Sequence, residues 1–212
     1  MSASWWGLVV AGALAGAALT PMLTAGGLRQ LARRDGADVG LQLISALIGG
    51  LAGSAAVAVS NRTGVWALAP CLLIWGCTLV AAATCDAVTQ RIPTPLVRRA
   101  IAGTSLLLAV ALLWHADWRG LVLSAVGSIA AGLTLLFCWR FLGAGFGDVR
   151  LAVLGGLGLG HVTHSGLLLG FAGFVMTTAV QAGATLARGG TRQSLIPYGP
   201  ALAVGFLVAA TL

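Results

Sequence analysis

The sequence contains neither lysine nor glutamate, and only 8% of its 212 residues are charged. Ordinary soluble domains carry roughly 25% charged residues. Hydrophobic residues make up 58% of this chain instead. The composition therefore excludes an ordinary soluble domain and predicts an integral membrane protein.

Acidic residues are scarcer than basic ones, with five aspartates against twelve arginines and a net charge of +7. In a soluble domain such a charge would suggest nucleic-acid binding. Here the arginines stand singly or in small clusters between apolar runs, where they set the orientation of a membrane protein. We therefore expect a lipid bilayer, and no nucleic acid, around this chain.

Long polar connections are also missing, since the longest is about ten residues, around RQLARRDGAD. Connections of this length leave no room for a folded domain outside the membrane. The amino-terminal MSASWW lacks the positive region of a secretory signal, so we expect the first apolar segment to be retained. Residues 1–212 are predicted to form a single integral membrane domain.

The four cysteines form no CxxC pair, the commonest sign of a zinc site. Cys71 and Cys77 lie six residues apart on one predicted helix, too far along its axis for a disulfide. His161 and His164 have the i, i+3 spacing of a metal pair, but no acidic residue accompanies them, so we interpret them as a polar turn. No metal and no organic cofactor is expected.

Uncharged runs divide the chain into segments close to the roughly 20 residues that span a bilayer. The run 151–187 is 37 residues long, too long for one span, and the polar cluster HVTHS divides it into a short piece and a full-length one. The fold class predicted is an all-α polytopic bundle of about eight transmembrane helices. The other six segments are 5–28, 39–61, 63–85, 100–116, 120–139 and 194–212.

The arginines favour eight segments over seven, the alternative in which 151–187 is one tilted helix. With eight segments and the amino terminus outside, ten arginines are cytoplasmic and only Arg62 and Arg119 lie outside. With seven, Arg188 and Arg192 move outside and the ratio falls from 10:2 to 8:4. Because arginine is enriched in cytoplasmic loops, we predict eight segments with both termini outside.

Glycines recur at four-residue spacings, which let transmembrane helices approach closely. We interpret them as packing inside the bundle, with a dimerisation face, and hence a homo-oligomer, as the alternative. No internal repeat is recognisable, which weakens a transporter built from inverted halves. The pairs are Gly12/Gly16, Gly49/Gly53, Gly156/Gly160 and Gly166/Gly170.

Three of the five aspartates, Asp35, Asp38 and Asp117, lie in polar connections and are interpreted as solvated loop charges. Asp86 and Asp148 stand at the boundaries of apolar segments instead. The third segment ends, and the sixth begins, on the same side of the membrane, so these two aspartates, 62 residues apart, are expected at similar depth. Ionisable groups at such positions are costly and indicate a functional site.

Two neighbouring carboxyl groups can hydrolyse an amide. The ionised one takes a proton from water, while the protonated one polarises the scissile carbonyl and later protonates the leaving amine. The alternative is structural, with Asp86 paired to Arg91 and Asp148 paired to Arg150 as helix-end anchors.

The stretch GAGFGDVRL favours the catalytic interpretation of Asp148. Gly145 and Gly147 flank the aspartate at positions where a side chain would block the approach of a substrate backbone. Asp148 also opens a short segment of about 13 residues to Gly160, roughly 20 Å long. Since the hydrocarbon core is roughly 30 Å thick, Asp148 is expected slightly within the membrane, in a water-accessible notch.

Three motifs in this chain resemble those of the type IV prepilin peptidases, which are intramembrane aspartyl proteases of the GxGD type. The first is Asp86 at a helix end, followed by Ile92, Pro93 and Leu96. The second has arginine in place of the family's usual lysine and comprises Gly145, Gly147, Asp148, Val149, Arg150, Leu151, Gly156, Leu159 and Gly160. The third is IPYGPALAVG at 196–205, with Pro197, Gly199 and Pro200.

The resemblance implies removal of the short basic leader of prepilin-like precursors, at the cytoplasmic face of a bacterial cell membrane. The family's two catalytic aspartates map onto Asp86 and Asp148. The implied partners are single-span prepilin or pseudopilin-like proteins, and no metal or cofactor is implied. We expect no N-methyltransferase activity, because the region that carries the family's paired CxxC motifs is reduced here to RQLARRDGAD.

Two other classes of protein stay open on the sequence alone. A proton-coupled transporter could use the two aspartates as a relay, but would be expected to carry ionisable groups at mid-membrane. A catalytically silent scaffold would keep the packing glycines and could lose an aspartate. Both aspartates are present, which favours the protease.

Overall fold

The computed structural model describes residues 3–31, 38–142, 144–189 and 197–212, and these form eight α-helices and no strand. The predicted all-α fold is confirmed, including the division of 151–187, because a 3₁₀ turn at Gly158–His161 separates the sixth helix from the seventh. The helices are α1 Ala3–Gln30, α2 Val39–Thr63, α3 Leu68–Thr89, α4 Thr94–Trp114, α5 Trp118–Leu142, α6 Phe146–Leu157, α7 His164–Ala187 and α8 Gly199–Thr211.

Six of these helices are long and apolar enough to cross a membrane. The remaining two, α6 with 12 residues and α8 with 13, are shorter. Large apolar side chains are exposed along the surface of the bundle, as in Phe171 of α7, which is 68% exposed. A bundle of this kind suits a lipid environment, where apolar side chains face hydrocarbon at no cost.

Two of the boundaries that differ from the uncharged runs have a local cause. Helix α2 ends at Thr63 and is capped by Gly64, which adopts the left-handed conformation (φ 73°), so α3 begins only at Leu68. Helix α4 begins at Thr94, six residues before the predicted start, because Pro93 and Pro95 are suited to the first turn of a helix. Charge ends an apolar run but not a helix, which is why both α3 and α4 extend beyond their predicted membrane segments.

Helix α3 lies at the centre of the bundle, in contact with α1, α2, α4, α6 and α8. Most of its apolar stretch, 72%, is buried, against 6% for α7 at the periphery. Trp75 of α3 donates a hydrogen bond from Nε1 to the Leu154 carbonyl of α6, at 2.8 Å. The central helix and the short helix α6 are thus tied together inside the core.

The four glycine spacings all serve packing within the chain. A Cβ atom added at Gly16 would collide with the Gly49 backbone, and one at Gly12 with the Gly53 backbone, so α1 and α2 cross in close contact. Gly156 and Gly160 of the α6 unit approach α5, while Gly166 and Gly170 of α7 approach α8. This packing confirms the interpretation inside the bundle, and the homo-oligomer stays an untested prediction.

The contacts define two ends of the bundle. Asp86 and Asp148 lie at one, here named the aspartate end, whereas Asp117 and His161 lie at the opposite end. Of the described arginines, only Arg62 and Arg119 belong to the opposite end, and those at the aspartate end are Arg29, Arg91, Arg98, Arg99, Arg140, Arg150 and Arg188. The sequence also makes predictions for Arg33, Arg34, Asp35 and Arg192, and these residues lie outside the described ranges.

Candidate active site

Asp86 lies in the last turn of α3 and is 5% exposed. Helix α3 ends at Thr89 and is capped by Gln90, which has φ 54° and donates its N–H to the Asp86 carbonyl at 2.7 Å. The side chain of Asp86 accepts a hydrogen bond on Oδ2 from the Gly199 N–H, at 2.9 Å. Gly199 is the first residue of α8, so a helix amino terminus, which favours negative charge, faces this carboxylate.

Gly199 is also required for space at this contact. An added Cβ would lie 2.8 Å from Asp86 Oδ2 and 2.9 Å from Asp86 Cβ, both closer than real contacts allow. Pro200 follows at the second position of α8, where proline suits a helix start, and the half-buried Pro197 precedes the helix. The third motif thus brings α8 against the end of α3.

Asp148 is the third residue of α6 and is 7% exposed. Its Oδ2 accepts a hydrogen bond from the Gly145 N–H at 3.0 Å, while its own N–H donates to the Gly145 carbonyl at 3.0 Å. This reciprocal pair caps the amino terminus of α6. A Cβ at Gly145 would lie 3.0 Å from that same Oδ2, so glycine leaves room for the carboxylate.

The sequence predicts that Gly147 leaves room for a substrate backbone, and in the structure the glycine also makes room for Ile92. A Cβ at this position would lie 3.1 Å from Ile92 Cβ, so the glycine lets the first turn of α6 approach the connection between α3 and α4. Pro93, fully buried, follows Ile92 and immediately precedes α4. The first and second motifs therefore pack on each other, and the room left for a substrate by Gly147 is a separate, untested expectation.

The two aspartates line one cavity of about 400 Å³, and their charges are close enough to interact. The two aspartates predicted at similar depth thus line the same cavity, and their catalytic role stays a prediction. A second cavity, of about 200 Å³ between α7 and α8, is lined only by apolar residues and glycines. The residues lining the aspartate cavity are Leu31, Asp86, Gln90, Arg91, Ile92, Thr94, Gly145, Phe146, Gly147, Asp148 and Arg150.

The structural alternative, in which each aspartate pairs with an arginine, is wrong for the described residues. Neither Arg91 nor Arg150 forms an ion pair with Asp86 or Asp148. Arg150 instead donates from Nη1 to Thr94 Oγ1 at 2.9 Å. It follows Asp148 by two residues, roughly 200° around a helix, so the two side chains leave α6 in different directions.

At the opposite end, Asp117 lies in the connection between α4 and α5, as predicted, but its side chain is 23% exposed and bound to two partners instead of being only solvated. Its Oδ1 accepts the Gly120 N–H at 2.9 Å, and its Oδ2 lies 2.6 Å from His161 Nε2. The Gly120 N–H, followed by His161 and Arg119, holds the pKa of Asp117 below its usual value. The capping role had a sequence signal, because aspartate directly before a helix is a common cap, whereas the histidine contact had none.

A metal site has no support in the described part of the chain. His161 does have an acidic neighbour, contrary to the expectation, but no group of three histidine, cysteine or carboxylate side chains comes together there. All four cysteines are free thiols. At this same end of the bundle, opposite the aspartate end, the Arg62 side chain donates hydrogen bonds to the carbonyls of Leu212 at 2.8 Å and His161 at 3.4 Å.

Comparison with known proteins gives no family for this chain: no protein-family model matches it, and no curated protein or solved structure is significantly similar to it.

Proposed function

We propose that this chain is an intramembrane aspartyl endopeptidase of the type IV prepilin peptidase kind. It removes the basic leader of a single-span, prepilin-like precursor at the cytoplasmic face of a bacterial cell membrane. The observation that carries this proposal is the shared cavity, in which Asp86 from the end of α3 meets Asp148 from the start of α6. Their aspartate chemistry requires no metal ion.

The chemistry uses one proton held between the two carboxyl groups. Like charges on two nearly buried carboxyl groups repel, so one carboxyl group keeps its proton while the other is ionised. The ionised group takes a proton from a water molecule, and the resulting hydroxide attacks the scissile carbonyl carbon. The protonated group donates a hydrogen bond to the carbonyl oxygen and then gives its proton to the amine nitrogen, and the carbon–nitrogen bond breaks to leave a carboxylic acid and a free amine.

The backbone holds both carboxyl groups ready for these steps. Gly199 donates to one oxygen of Asp86, and Gly145 donates to one oxygen of Asp148. In each case the bonded atom is Oδ2, so we assign the proton transfers to Oδ1. Groups that are fixed before the reaction need no reorganisation as charge develops, which lowers the barrier.

The short helix α6 supports a site near the membrane boundary. Together with its 3₁₀ turn it spans roughly 26 Å, less than the roughly 30 Å hydrocarbon core. A bundle whose opposite end is level with one membrane surface therefore holds Asp148 slightly below the other. The cavity then supplies water to a bond at the edge of a transmembrane segment.

The distribution of charge favours this function over a proton-coupled transporter. Among the described residues, aspartate, arginine and histidine side chains lie towards one or other end of the bundle and not at its middle. A relay across the membrane requires ionisable groups at mid-depth. The two aspartates at one end suit local proton transfer to a substrate.

The test is co-expression with a panel of prepilin-like precursors, with leader removal scored by the change in precursor mass. We expect wild type to process a precursor and Asp86→Asn and Asp148→Asn to abolish processing. The matched control is Asp38→Asn, the same change at an exposed aspartate just before α2. Full processing by both Asp86→Asn and Asp148→Asn would show that the catalytic assignment is wrong.

A further inference from the structure

Arg150 lines the aspartate cavity without neutralising either aspartate. The guanidinium and both carboxyl groups belong to the lining of the same space. In the described part of the chain, Arg150 forms no ion pair with any carboxylate. A fixed positive charge therefore stands in the cavity beside the two acidic groups.

Two neighbours hold the Arg150 side chain in place. Its Nη1 donates to Thr94 Oγ1, on the first residue of α4, at 2.9 Å. Its Cζ atom lies 4.7 Å from the centre of the Phe146 ring, a cation–π contact. The Phe146 ring itself meets the edge of Trp139, with 5.3 Å between the ring centres.

The hydrogen bond to Thr94 uses one of the five N–H groups that a guanidinium offers. A side chain that is fixed in position and still has donors loses little entropy when it binds a further acceptor. Arg150 is therefore prepared for a hydrogen-bond acceptor that enters the cavity.

A peptide substrate brings such acceptors with its main chain. A bond inside a helix must be unwound before water can attack it, and unwinding frees backbone carbonyl groups. Near the hydrocarbon region, freed carbonyls need hydrogen-bond donors, because no bulk water satisfies them. The two aspartates act mainly as acceptors, so the donor has to come from another residue that lines the cavity.

We propose that Arg150 is a substrate-binding residue that donates hydrogen bonds to a main-chain carbonyl of the unwound peptide. This inference rests on the proposed endopeptidase function and adds to it the part of the substrate that is held. Because every residue has a carbonyl, the contact is independent of the substrate's side chains. The basic part of a leader, repelled by the guanidinium, lies away from Arg150.

A purely structural role for Arg150 makes a different prediction. The bond from Arg150 to Thr94 joins α6 to α4. In the structural alternative, the side chain does nothing beyond stabilising the contact between these two helices. Thr94→Val removes that bond and leaves the guanidinium. This structural role would make Thr94→Val and Arg150→Gln equivalent, whereas a substrate contact makes Arg150→Gln far more harmful.

The experiment uses the purified full-length chain in proteoliposomes and a prepilin-like precursor carrying a fluorescent label. Binding is measured directly, and kcat and KM are measured from leader removal. For Arg150→Gln we expect Kd and KM to rise about tenfold, the effect of one lost hydrogen bond to a charged group, with kcat little changed. We expect Arg150→Lys to fall between this variant and wild type.

Two controls separate charge and folding from substrate contact. Arg98→Gln removes one exposed positive charge from the same end of the bundle, outside the cavity lining, and is expected to bind like wild type. Thr94→Val loosens the guanidinium without removing it, so its loss of binding is expected to be much smaller than that of Arg150→Gln. Thermal unfolding of each variant reports whether the bundle is intact.

Three results would overturn the inference. The first is unchanged binding by Arg150→Gln. The second is a loss of binding and of unfolding temperature in Thr94→Val that equals the loss in Arg150→Gln. The third is loss of the Arg150 effect for a precursor whose acidic side chains have been neutralised, which would identify a carboxylate instead of a carbonyl. Binding that depends on Arg150 without any cleavage would refute the endopeptidase and leave the peptide contact standing.

Discussion

The two ends of the bundle use the same residue type in opposite ways. Asp148 at the aspartate end and Asp117 at the opposite end both accept a hydrogen bond from a glycine N–H near a helix start. Asp117 is paired with His161, and the two side chains are 23% and 24% exposed. Asp148 is 7% exposed and shares its cavity with a second carboxyl group. Capping alone therefore does not separate a structural aspartate from a candidate catalytic one.

What separates them is how each charge is compensated. A hydrogen-bonded aspartate with a histidine partner and access to water is stable as an anion. Two nearly buried carboxyl groups with no arginine partner among the described residues oppose each other's ionisation. The first arrangement fixes a loop, and the second is suited to proton transfer.

The largest expected effect tests the difference between the two ends most directly. Asp148→Asn should lower the rate of leader removal by on the order of 1,000-fold, because it removes a group that transfers protons. Asp117→Asn should leave the rate within a few fold of wild type. Both are measured as initial rates on the same precursor. An equal loss in the two variants would show that the ends are not functionally different.

The second effect concerns the backbone donor at the aspartate end. In Gly199→Ala the new Cβ meets Asp86 and displaces its carboxyl group, so kcat should fall on the order of 100-fold. The matched control is Gly183→Ala in α7, where an added Cβ meets nothing within 4 Å. Circular dichroism should give the same helix content for both variants. Normal activity of Gly199→Ala would mean that the Gly199 contact does not position Asp86.

The third effect belongs to the opposite end and is one of stability. The Gly120 N–H, with His161 and Arg119, lowers the pKa of Asp117, so the ionised form contributes stability above the unfolded-state value of about 3.9. That contribution is lost as the pH falls towards the lowered value in the folded state. Asparagine keeps a capping oxygen but loses the charge, so at neutral pH Asp117→Asn should reduce the unfolding temperature in detergent by roughly 1–3 °C.

The pH dependence provides the control for this third prediction. As the solution is acidified below pH 4, the difference between wild type and Asp117→Asn should shrink, because protonation makes the two side chains similar. A difference that stays constant, or grows, on acidification would exclude ionised Asp117 as its source.

The smallest expected effect concerns the charge of the substrate. Arg91 and Arg150 line the cavity and do not attract a basic leader, so recognition should rest on the aspartates, helix packing and backbone contacts. A precursor whose basic leader residues are replaced by neutral ones should be cleaved within about fivefold of the original. Loss of cleavage for the neutral leader would show that the protein recognises the charge of the leader directly.

Much of this fold could be predicted from apolar runs and arginines, because crossing a bilayer restricts both. The polar cluster near His161 was sufficient to divide 151–187 into two helices, and the structure places the break at Gly158–His161. The common side of Asp86 and Asp148 followed from the parity of the helices. The boundaries of α3 and α4 did not follow, since capping by Gly64 and Pro93 is local geometry that hydropathy ignores.

The partners of the site residues were beyond prediction for another reason. Gly199 was recognised in a motif, yet its N–H meets Asp86 across 113 positions in the chain. Arg150 meets Thr94 across 56 positions, and His161 meets Asp117 across 44. Such contacts depend on the rotation and depth of each helix, which are set by packing against neighbouring helices.

The sequence by itself determined that this is a helical membrane protein, how many helices its described residues form, and that two aspartates share one end. These properties follow from hydrophobic length and charge, which act along the chain. Only the tertiary structure decided that the aspartates share a cavity, that Arg150 stands free of both, and that Asp117 is bound to His161. These contacts form only when helices distant in sequence pack together, because the partners of a side chain are the residues nearest to it in space.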